Sequence, residues 1–190
     1  GRRLSVDGFS RGVEKPATQE KVTVADLSGH VIICGYGKTG RGLAQLLREK
    51  GFDYVGLDLD VVLVREARRN GENVVYGDAR NPGILAVAGL RQSRALVITY
   101  ADERMAETTI QQVRSASLNL PILVSANNHI TAEHLRISGA TEVVTRDTAV
   151  NLMLEVNLLN LLEVPLDDIA ERMRKSCTAH FPILGRVFKE

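Results

Sequence analysis

A glycine-rich turn between an apolar strand and a helix constrains this chain more than any other feature. Residues 30–34 form a short apolar, β-branched run, which is typical of a buried strand. Residues 35–40 read Gly-Tyr-Gly-Lys-Thr-Gly and fit the spacing G-x-G-x-x-G. Apolar residues at helical spacing follow between 43 and 47. In the order strand, glycine turn, helix, this spacing predicts a dinucleotide-binding βαβ unit.

The three glycines have separate physical roles in such a unit. Gly35 permits the tight turn, Gly37 lets a pyrophosphate approach the backbone, and Gly40 lets helix and strand pack closely. The free N–H groups and the positive dipole end of the new helix then face the phosphates.

A carboxylate completes the pattern. Residues 53–59 predict the next strand, and Asp58 lies near its carboxyl end, about 20 residues past the glycines. A carboxylate in this position accepts hydrogen bonds from both ribose hydroxyls. The competing interpretation is that the glycines only form a tight turn in a sheet that binds nothing.

Strands and helices alternate from residue 30 to residue 145. The predicted strands are 30–34, 54–59, 73–76, 94–99, 121–126 and 141–145. The predicted helices are 38–50, 61–70 with Asp60 as N-cap, a short one from Asn81-Pro82 to about 89, 102–118, and one capped by Thr131 that ends at Gly139. The alternation predicts an α/β fold with a Rossmann-like, doubly wound parallel six-stranded sheet. Right-handed crossovers give the strand order 3-2-1-4-5-6, with a cleft between strands one and four.

Residues 151–164 predict a helix of another kind, because its apolar side chains point nearly all round. A helix that is apolar on every side must be buried on every side. One face can cover the sheet, and two interpretations stay open for the other. Residues 165–190, with a predicted helix over 167–175, fold back onto it, or a second subunit covers it in a symmetric dimer. The short, mixed tail favours the dimer.

Composition narrows the function further. The net charge of +1 gives no electrostatic argument for nucleic acid, so no nucleic-acid partner is expected. The two cysteines, Cys34 and Cys177, form no C-x-x-C pair, which predicts no zinc or disulfide framework and a reducing compartment. No run approaches the ~18 apolar residues of a membrane helix. Residues 1–29 are interpreted as a linker that leads into a core strand, which fits a domain attached to something N-terminal.

Taken together, these motifs resemble the regulator-of-K⁺-conductance (RCK), or TrkA-N, domain. The resemblance rests on residues 30–42, on Asp58-Leu59-Asp60, on Tyr76-Gly77-Asp78-Ala79 followed by Asn81-Pro82, on residues 85–90 and on strand 94–99. It covers residues 30–163 and is greatest for the cytoplasmic domain of Kef-type cation/proton antiporters. Residues 164–190 then form a C-terminal helix and tail.

The resemblance implies a nucleotide sensor for a K⁺ transporter, on the cytoplasmic face of the inner membrane. A membrane transport domain would lie N-terminal to this chain, and a homodimer would form through the helix 151–163. The ligand would be NAD(H) or an adenine nucleotide, AMP or ATP. Asp58 would hold the ribose, Asp78 would meet the adenine edge, and Thr99 to Asp102 would line the distal half of the cleft. The expected nucleotide-binding residues are Gly35, Tyr36, Gly37, Lys38, Thr39, Gly40, Asp58, Leu59, Asp60, Asp78, Ala79, Thr99, Tyr100 and Asp102.

Some residues depart from this family or suggest rival functions. Glutathione-gated Kef antiporters carry arginines just after the fifth strand, whereas residues 125–128 here read Ser-Ala-Asn-Asn, so the resemblance leaves a role for glutathione open. An NAD-dependent oxidoreductase is the alternative, but no tyrosine begins a Tyr-x-x-x-Lys motif, and too few residues follow 163 for a substrate domain. We therefore expect a regulatory domain without a catalytic residue.

Two further clusters have ordinary explanations. His129 and His134 are five residues apart, which does not align two metal ligands on one helix face, so no metal site is expected. Arg65, Arg68 and Arg69 suggest a clamp for the 2′-phosphate of NADP. Asp58 would repel that phosphate, so the acid favours NAD or adenine nucleotides.

Overall fold

A computed structural model describes residues 27–117 and 119–180. The six strands are β1 (Val31–Cys34), β2 (Tyr54–Asp58), β3 (Val74–Tyr76), β4 (Ala95–Ile98), β5 (Ile122–Ala126) and β6 (Glu142–Thr145). The α-helices of these residues are α1 (Lys38–Glu49), α2 (Val61–Arg69), α3 (Pro82–Val87), α4 (Glu103–Ala116), α5 (His129–Ile137), α6 (Arg146–Leu161) and α7 (Leu166–His180). Most of the predicted linker, residues 1–26, and the apolar end of the tail lie outside the described residues.

The six strands form one parallel sheet in the order β3-β2-β1-β4-β5-β6. This confirms the predicted fold class and strand order. β1 is central, since Val31 pairs with Tyr54 of β2 on one side and with Ala95 of β4 on the other. The first three strands extend from β1 towards one edge of the sheet and the next three towards the other, so the strand order changes side between β1 and β4. Because β1 and β4 are parallel, their carboxyl ends lie side by side at this switch point, where ligands bind in open α/β sheets.

Two hydrophobic cores hold helices against the two sheet faces. Alternate residues of β1 serve the two faces, because successive side chains of a strand point to opposite sides. Ile32 and Cys34 pack with residues of α3, α4 and α5, whereas Val31 and Ile33 pack with residues of α1 and α2. Buried on both faces, β1 is apolar throughout.

The structure corrects two predicted helix starts. The N-cap of α5 is Asn128, whose side-chain oxygen accepts the N–H of Thr131 at 2.9 Å, so the prediction of Thr131 as the cap is wrong. The helix predicted from residue 151 begins at Arg146, because Thr145, the last residue of β6, is itself the N-cap. The helix after the sheet thus begins five residues, or more than one turn, earlier than the apolar pattern indicated.

Helix α7 covers part of α6. Ile169 of α7 is buried, and the Arg172 guanidinium pairs with the Glu155 carboxylate of α6 at 2.9 Å. None of the residues of α6 is buried in the protomer. The large apolar side chains that stay exposed on and just after α6 are Val150, Met153, Leu154, Leu158, Leu161 and Leu162. The tail therefore folds back as one interpretation expected, yet it leaves a continuous apolar stretch uncovered.

Candidate functional site

The glycine turn lies at the carboxyl end of β1 and is fixed by its neighbours. Gly35 has φ +95°, a left-handed conformation that favours glycine, and its N–H donates to the Leu57 carbonyl oxygen at 2.8 Å. The Thr99 hydroxyl donates to the Gly35 carbonyl oxygen at 2.7 Å. A Cβ atom on Gly40 would overlap that same carbonyl oxygen. The close approach of α1 to the turn therefore requires glycine at position 40.

The first turn of α1 is open to a ligand. Gly37 is its N-cap and supplies no side-chain hydrogen bond, and no acidic residue lies in the turn. By contrast, a side chain caps each of α2 to α6. Lys38 and Thr39 are exposed beside the open N–H groups. An uncapped helix N-terminus with a neighbouring lysine favours an anion such as a phosphate.

Asp58 at the end of β2 connects the second strand to this turn. The Tyr36 N–H donates to its Oδ2 at 2.6 Å, and the Asp60 N–H donates to its Oδ1 at 2.8 Å. These backbone donors fix the carboxylate directly beside the glycine turn. Its predicted position is thus reproduced, with both oxygens oriented by the backbone. Asp60 in turn caps α2, and Leu59 is exposed between them.

The Tyr36 side chain points away from the cleft. Its ring is fully buried in the core under α1 and α2, stacks on Tyr54 with centroids 6.1 Å apart, and shares a 2.9 Å hydrogen bond between the two hydroxyls. Burial and the Tyr54 hydrogen bond raise the pKa of the Tyr36 phenol. A Cβ atom on Gly56 would overlap the Tyr36 ring, so β2 needs glycine there. Only the backbone of Tyr36 faces the candidate site.

Asp78, after β3, is held by a residue that the sequence analysis did not select. Arg80 donates to its carboxylate from Nη2 at 2.6 Å, from Nε at 2.9 and 3.0 Å, and from its backbone N–H at 2.9 Å. The Arg80 hydrogen bonds hold the pKa of the Asp78 carboxyl below its usual range. The signal in the sequence is an acid and a base two residues apart in a turn, which allows a local ion pair.

The predicted residues Thr99, Tyr100 and Asp102 follow β4. The Tyr100 hydroxyl shares a 2.6 Å hydrogen bond with the Thr109 hydroxyl of α4, and burial raises the pKa of this phenol. Tyr100 packs against the core that contains buried Ala79. The Asp102 carboxylate caps α4 by accepting the Met105 N–H at 2.8 Å. Ala79 is thus part of the core and Tyr100 packs against it, while the Thr99 hydroxyl fixes the glycine turn.

The other clusters have structural roles. Arg68 donates from Nε to the Val74 carbonyl oxygen at 2.7 Å and so ties α2 to β3. His134 pairs with Glu103 at 3.0 Å.

In the described part of the chain, no three histidine, cysteine or acidic residues are grouped as a metal site would need. Cys34 is buried, and burial raises the pKa of its thiol. No helix within residues 27–117 and 119–180 has the length and apolar character to cross a membrane.

This chain is similar to known proteins both in sequence and in structure. The family model of the TrkA-N domain matches residues 31–146. The putative K⁺ efflux antiporter KefB of Alkalimonas amylolytica is 33% identical over 163 residues, which is 86% of this chain and 25% of KefB. The chain therefore spans about a quarter of the length of this relative.

Two solved structures share the fold. The TrkA-N domain of the inner membrane protein YbaL from Escherichia coli is 25% identical with a TM-score of 0.65, and the match covers 69% of this chain and 98% of that one. The Kef C-terminal domain of Shewanella denitrificans, in an AMP-bound form, is 25% identical with a TM-score of 0.59 and covers 76% and 87% of the two chains.

Proposed function

The chain belongs to the TrkA-N domain family, and from this premise we propose that it is the nucleotide-sensing regulatory domain of a K⁺ antiporter. The observation that carries the proposal is the position of Asp58. Its carboxylate lies 2.6 Å from the N–H of Tyr36, inside the glycine turn and beside the uncapped start of α1. A ribose acceptor and a phosphate site thus adjoin, as a nucleotide requires.

The ligand in this proposal is NAD(H) or an adenine nucleotide such as AMP or ATP. The turn from Gly35 to Gly40 receives the phosphates and Asp58 receives the ribose hydroxyls. Residues 78–79 and 99–102 border the rest of the cleft. The carboxylate of Asp58 disfavours a 2′-phosphate, and Arg68, the central residue of the rival NADP clamp, is engaged with the backbone of β3. Both points favour a ligand without a 2′-phosphate.

The domain acts as a sensor without catalysis in this proposal. The antiporter name of the KefB relative supports this role, and an NAD-dependent oxidoreductase is the second candidate. Near the cleft, the Tyr36 ring is buried beneath α1 and the Tyr100 hydroxyl is engaged with Thr109. Neither tyrosine is placed as a proton donor for hydride transfer in this conformation. This favours the sensor over the oxidoreductase.

The exposed side of α6 is proposed to form a homodimer with a second copy. Met153, Leu154 and Leu158 are each more than half exposed, and such apolar stretches mark interfaces. A second apolar surface supports this: a cavity of about 220 Å³ lies over β1, β4 and β5, lined by side chains that include Leu43, Leu46 and Val97. A symmetric dimer can bury such surfaces on both copies at once.

Signalling then follows from differential affinity. A ligand that binds one dimer geometry more tightly than another shifts the population between them. In this proposal the chain lies on the cytoplasmic face of the membrane, and a membrane transport domain precedes it in the same protein. That transport domain would respond to the change in dimer geometry. Bound and free dimers that superpose without rearrangement would refute this mechanism.

Calorimetric titration with NAD⁺, NADH, NADPH, AMP and ATP tests the proposed function. We expect binding of NAD(H) or of adenine nucleotides, with a higher melting temperature in their presence, because a ligand that binds only the native state stabilises it. NADPH should bind more weakly than NADH. The absence of binding by all five would refute the nucleotide sensor, and steady hydride transfer to an added carbonyl compound would favour the oxidoreductase.

A further inference from the structure

The Asp78 carboxylate accepts three N–H groups of one neighbour, Arg80. Oδ1 accepts the backbone N–H and the Nε–H of Arg80, both at 2.9 Å, and Oδ2 accepts Nη2 at 2.6 Å and Nε at 3.0 Å. A carboxylate has about four acceptor positions. Three N–H groups of Arg80 take up these positions, with the Nε–H shared between the two oxygens, so at most one position is left for the 6-amino group of adenine while this pair is intact.

The Arg80 guanidinium keeps unused donors. Of its five N–H groups, the pair with Asp78 uses one on Nε and one on Nη2, and no other hydrogen bond from them is seen within the described residues. The side chain is 42% exposed. Tyr100 and Asp102, which follow β4, lie close enough to act electrostatically on the guanidinium. The exposed guanidinium, which follows β3, is therefore within electrostatic reach of the residues that follow β4.

We propose that Arg80, rather than Asp78, contacts the base of the bound nucleotide, and that Asp78 is the positioning residue that holds the guanidinium in place. This deepens the proposed function and rests on it. A guanidinium offers a flat cationic face to a purine ring and N–H donors to its ring nitrogens or carbonyl groups. Such a residue accepts a 6-carbonyl purine as readily as a 6-amino purine, whereas a carboxylate acceptor would select the amino group.

The test compares AMP with inosine 5′-monophosphate (IMP), which carries a carbonyl oxygen in place of the amino group. Calorimetric titrations use the wild type, Asp78→Asn, Arg80→Gln and the double variant. The matched control is the double variant Glu133→Gln/Arg136→Gln, which removes an exposed ion pair on α5. Thermal unfolding of each variant without ligand verifies that it is folded.

We expect the wild type to bind AMP and IMP within about threefold of each other. Arg80→Gln should weaken both by about tenfold, the size of a lost hydrogen bond to a charged group. The double variant should bind no more weakly than Arg80→Gln, because Asp78 acts through Arg80. The control should bind both ligands as the wild type does.

Other results would overturn the inference. A wild type that prefers AMP by about tenfold or more, with the preference lost in Asp78→Asn, would show that Asp78 reads the amino group. Unchanged affinities in Arg80→Gln, or losses that add in the double variant, would also contradict it. In these cases the wild type still binds AMP, so the proposed function stands. If the wild type binds neither nucleotide, this inference fails, whereas the proposed function fails only if NAD⁺, NADH, NADPH and ATP do not bind either.

Discussion

Replacing Asp58 with alanine is expected to weaken the binding of AMP and of NAD⁺ by roughly 100-fold. Each carboxylate oxygen of Asp58 accepts one backbone N–H in the free protein, from Tyr36 at 2.6 Å and from Asp60 at 2.8 Å. One acceptor position on each oxygen thus remains for a ribose hydroxyl. Hydrogen bonds to a charged group contribute about 1.5–3 kcal/mol each. Two at the lower limit give about 3 kcal/mol, or roughly 100-fold in Kd.

A ligand analogue makes this experiment specific to the ribose. Calorimetric titration of wild type and Asp58→Ala with AMP and with 2′,3′-dideoxy-AMP forms a thermodynamic cycle. Removal of the ribose hydroxyls should lower the affinity of the wild type about 100-fold. The affinity of the variant should fall less than about threefold, because it has no carboxylate at position 58 to accept hydrogen bonds from those hydroxyls. If the variant prefers AMP over the dideoxy analogue as strongly as the wild type does, Asp58 does not hold the ribose.

The same substitution also affects stability, and Asp58→Asn separates the two effects. Asp58→Ala leaves the N–H of the buried Tyr36 without its acceptor, which costs about 1–3 kcal/mol of the free energy of unfolding. Asp58→Asn keeps a side-chain oxygen for that N–H, so urea unfolding should show a smaller loss. Its affinity for AMP should still fall about tenfold, because the charge that strengthens both ribose hydrogen bonds is gone.

Three further perturbations test the remaining structure. Gly40→Ala should destabilise the domain by about 2–4 kcal/mol in urea unfolding, because the new Cβ overlaps the backbone of the glycine turn. The control Gly42→Ala, on the same helix, has open space around its Cβ and should be neutral or stabilise the domain by up to about 1 kcal/mol. Leu154→Glu should convert a dimer to a monomer in sedimentation velocity, since it places a charge in the exposed apolar side of α6. The control Val87→Glu, on the exposed surface of α3, should leave the dimer intact. A Leu154→Glu variant that remains a dimer, as the Val87→Glu control does, would contradict the proposed interface. Hydrogen bonds from α5 hold the pKa of Glu103 below its usual value near 4.5, so the native state binds fewer protons there than the unfolded chain does, and its stabilising effect is lost as pH falls below about 4.5. The fall of Tm between pH 5 and pH 3 should therefore be measurably smaller in Glu103→Gln than in the wild type. An unchanged pH dependence would show that this carboxylate does not contribute to the pH dependence of stability.

The sequence was sufficient to predict a structural element wherever a single physical rule determines the local structure. Short apolar strands that alternate with helices require a parallel sheet covered on both faces, and right-handed crossovers then leave one strand order. Asp60 and Asp102 were predicted correctly as helix starts, because a carboxylate just before a helical pattern is well suited to accept the free N–H groups of the first turn. The prediction failed at α5, where both Asn128 and Thr131 are capping residue types and only the backbone path decides between them.

The sequence by itself therefore determined the fold, the glycine turn and the place of Asp58 beside it, since these depend on residue types at fixed spacings along neighbouring strands. Only the tertiary structure decided which side-chain atoms face the cleft. Tyr36 lies in the turn yet sends its ring into the core, because Gly56 on the adjacent strand leaves room for it. The Asp78 carboxylate is already paired with the Arg80 guanidinium. The direction of a side chain depends on the space and partners that distant segments provide, and no spacing in the sequence records them.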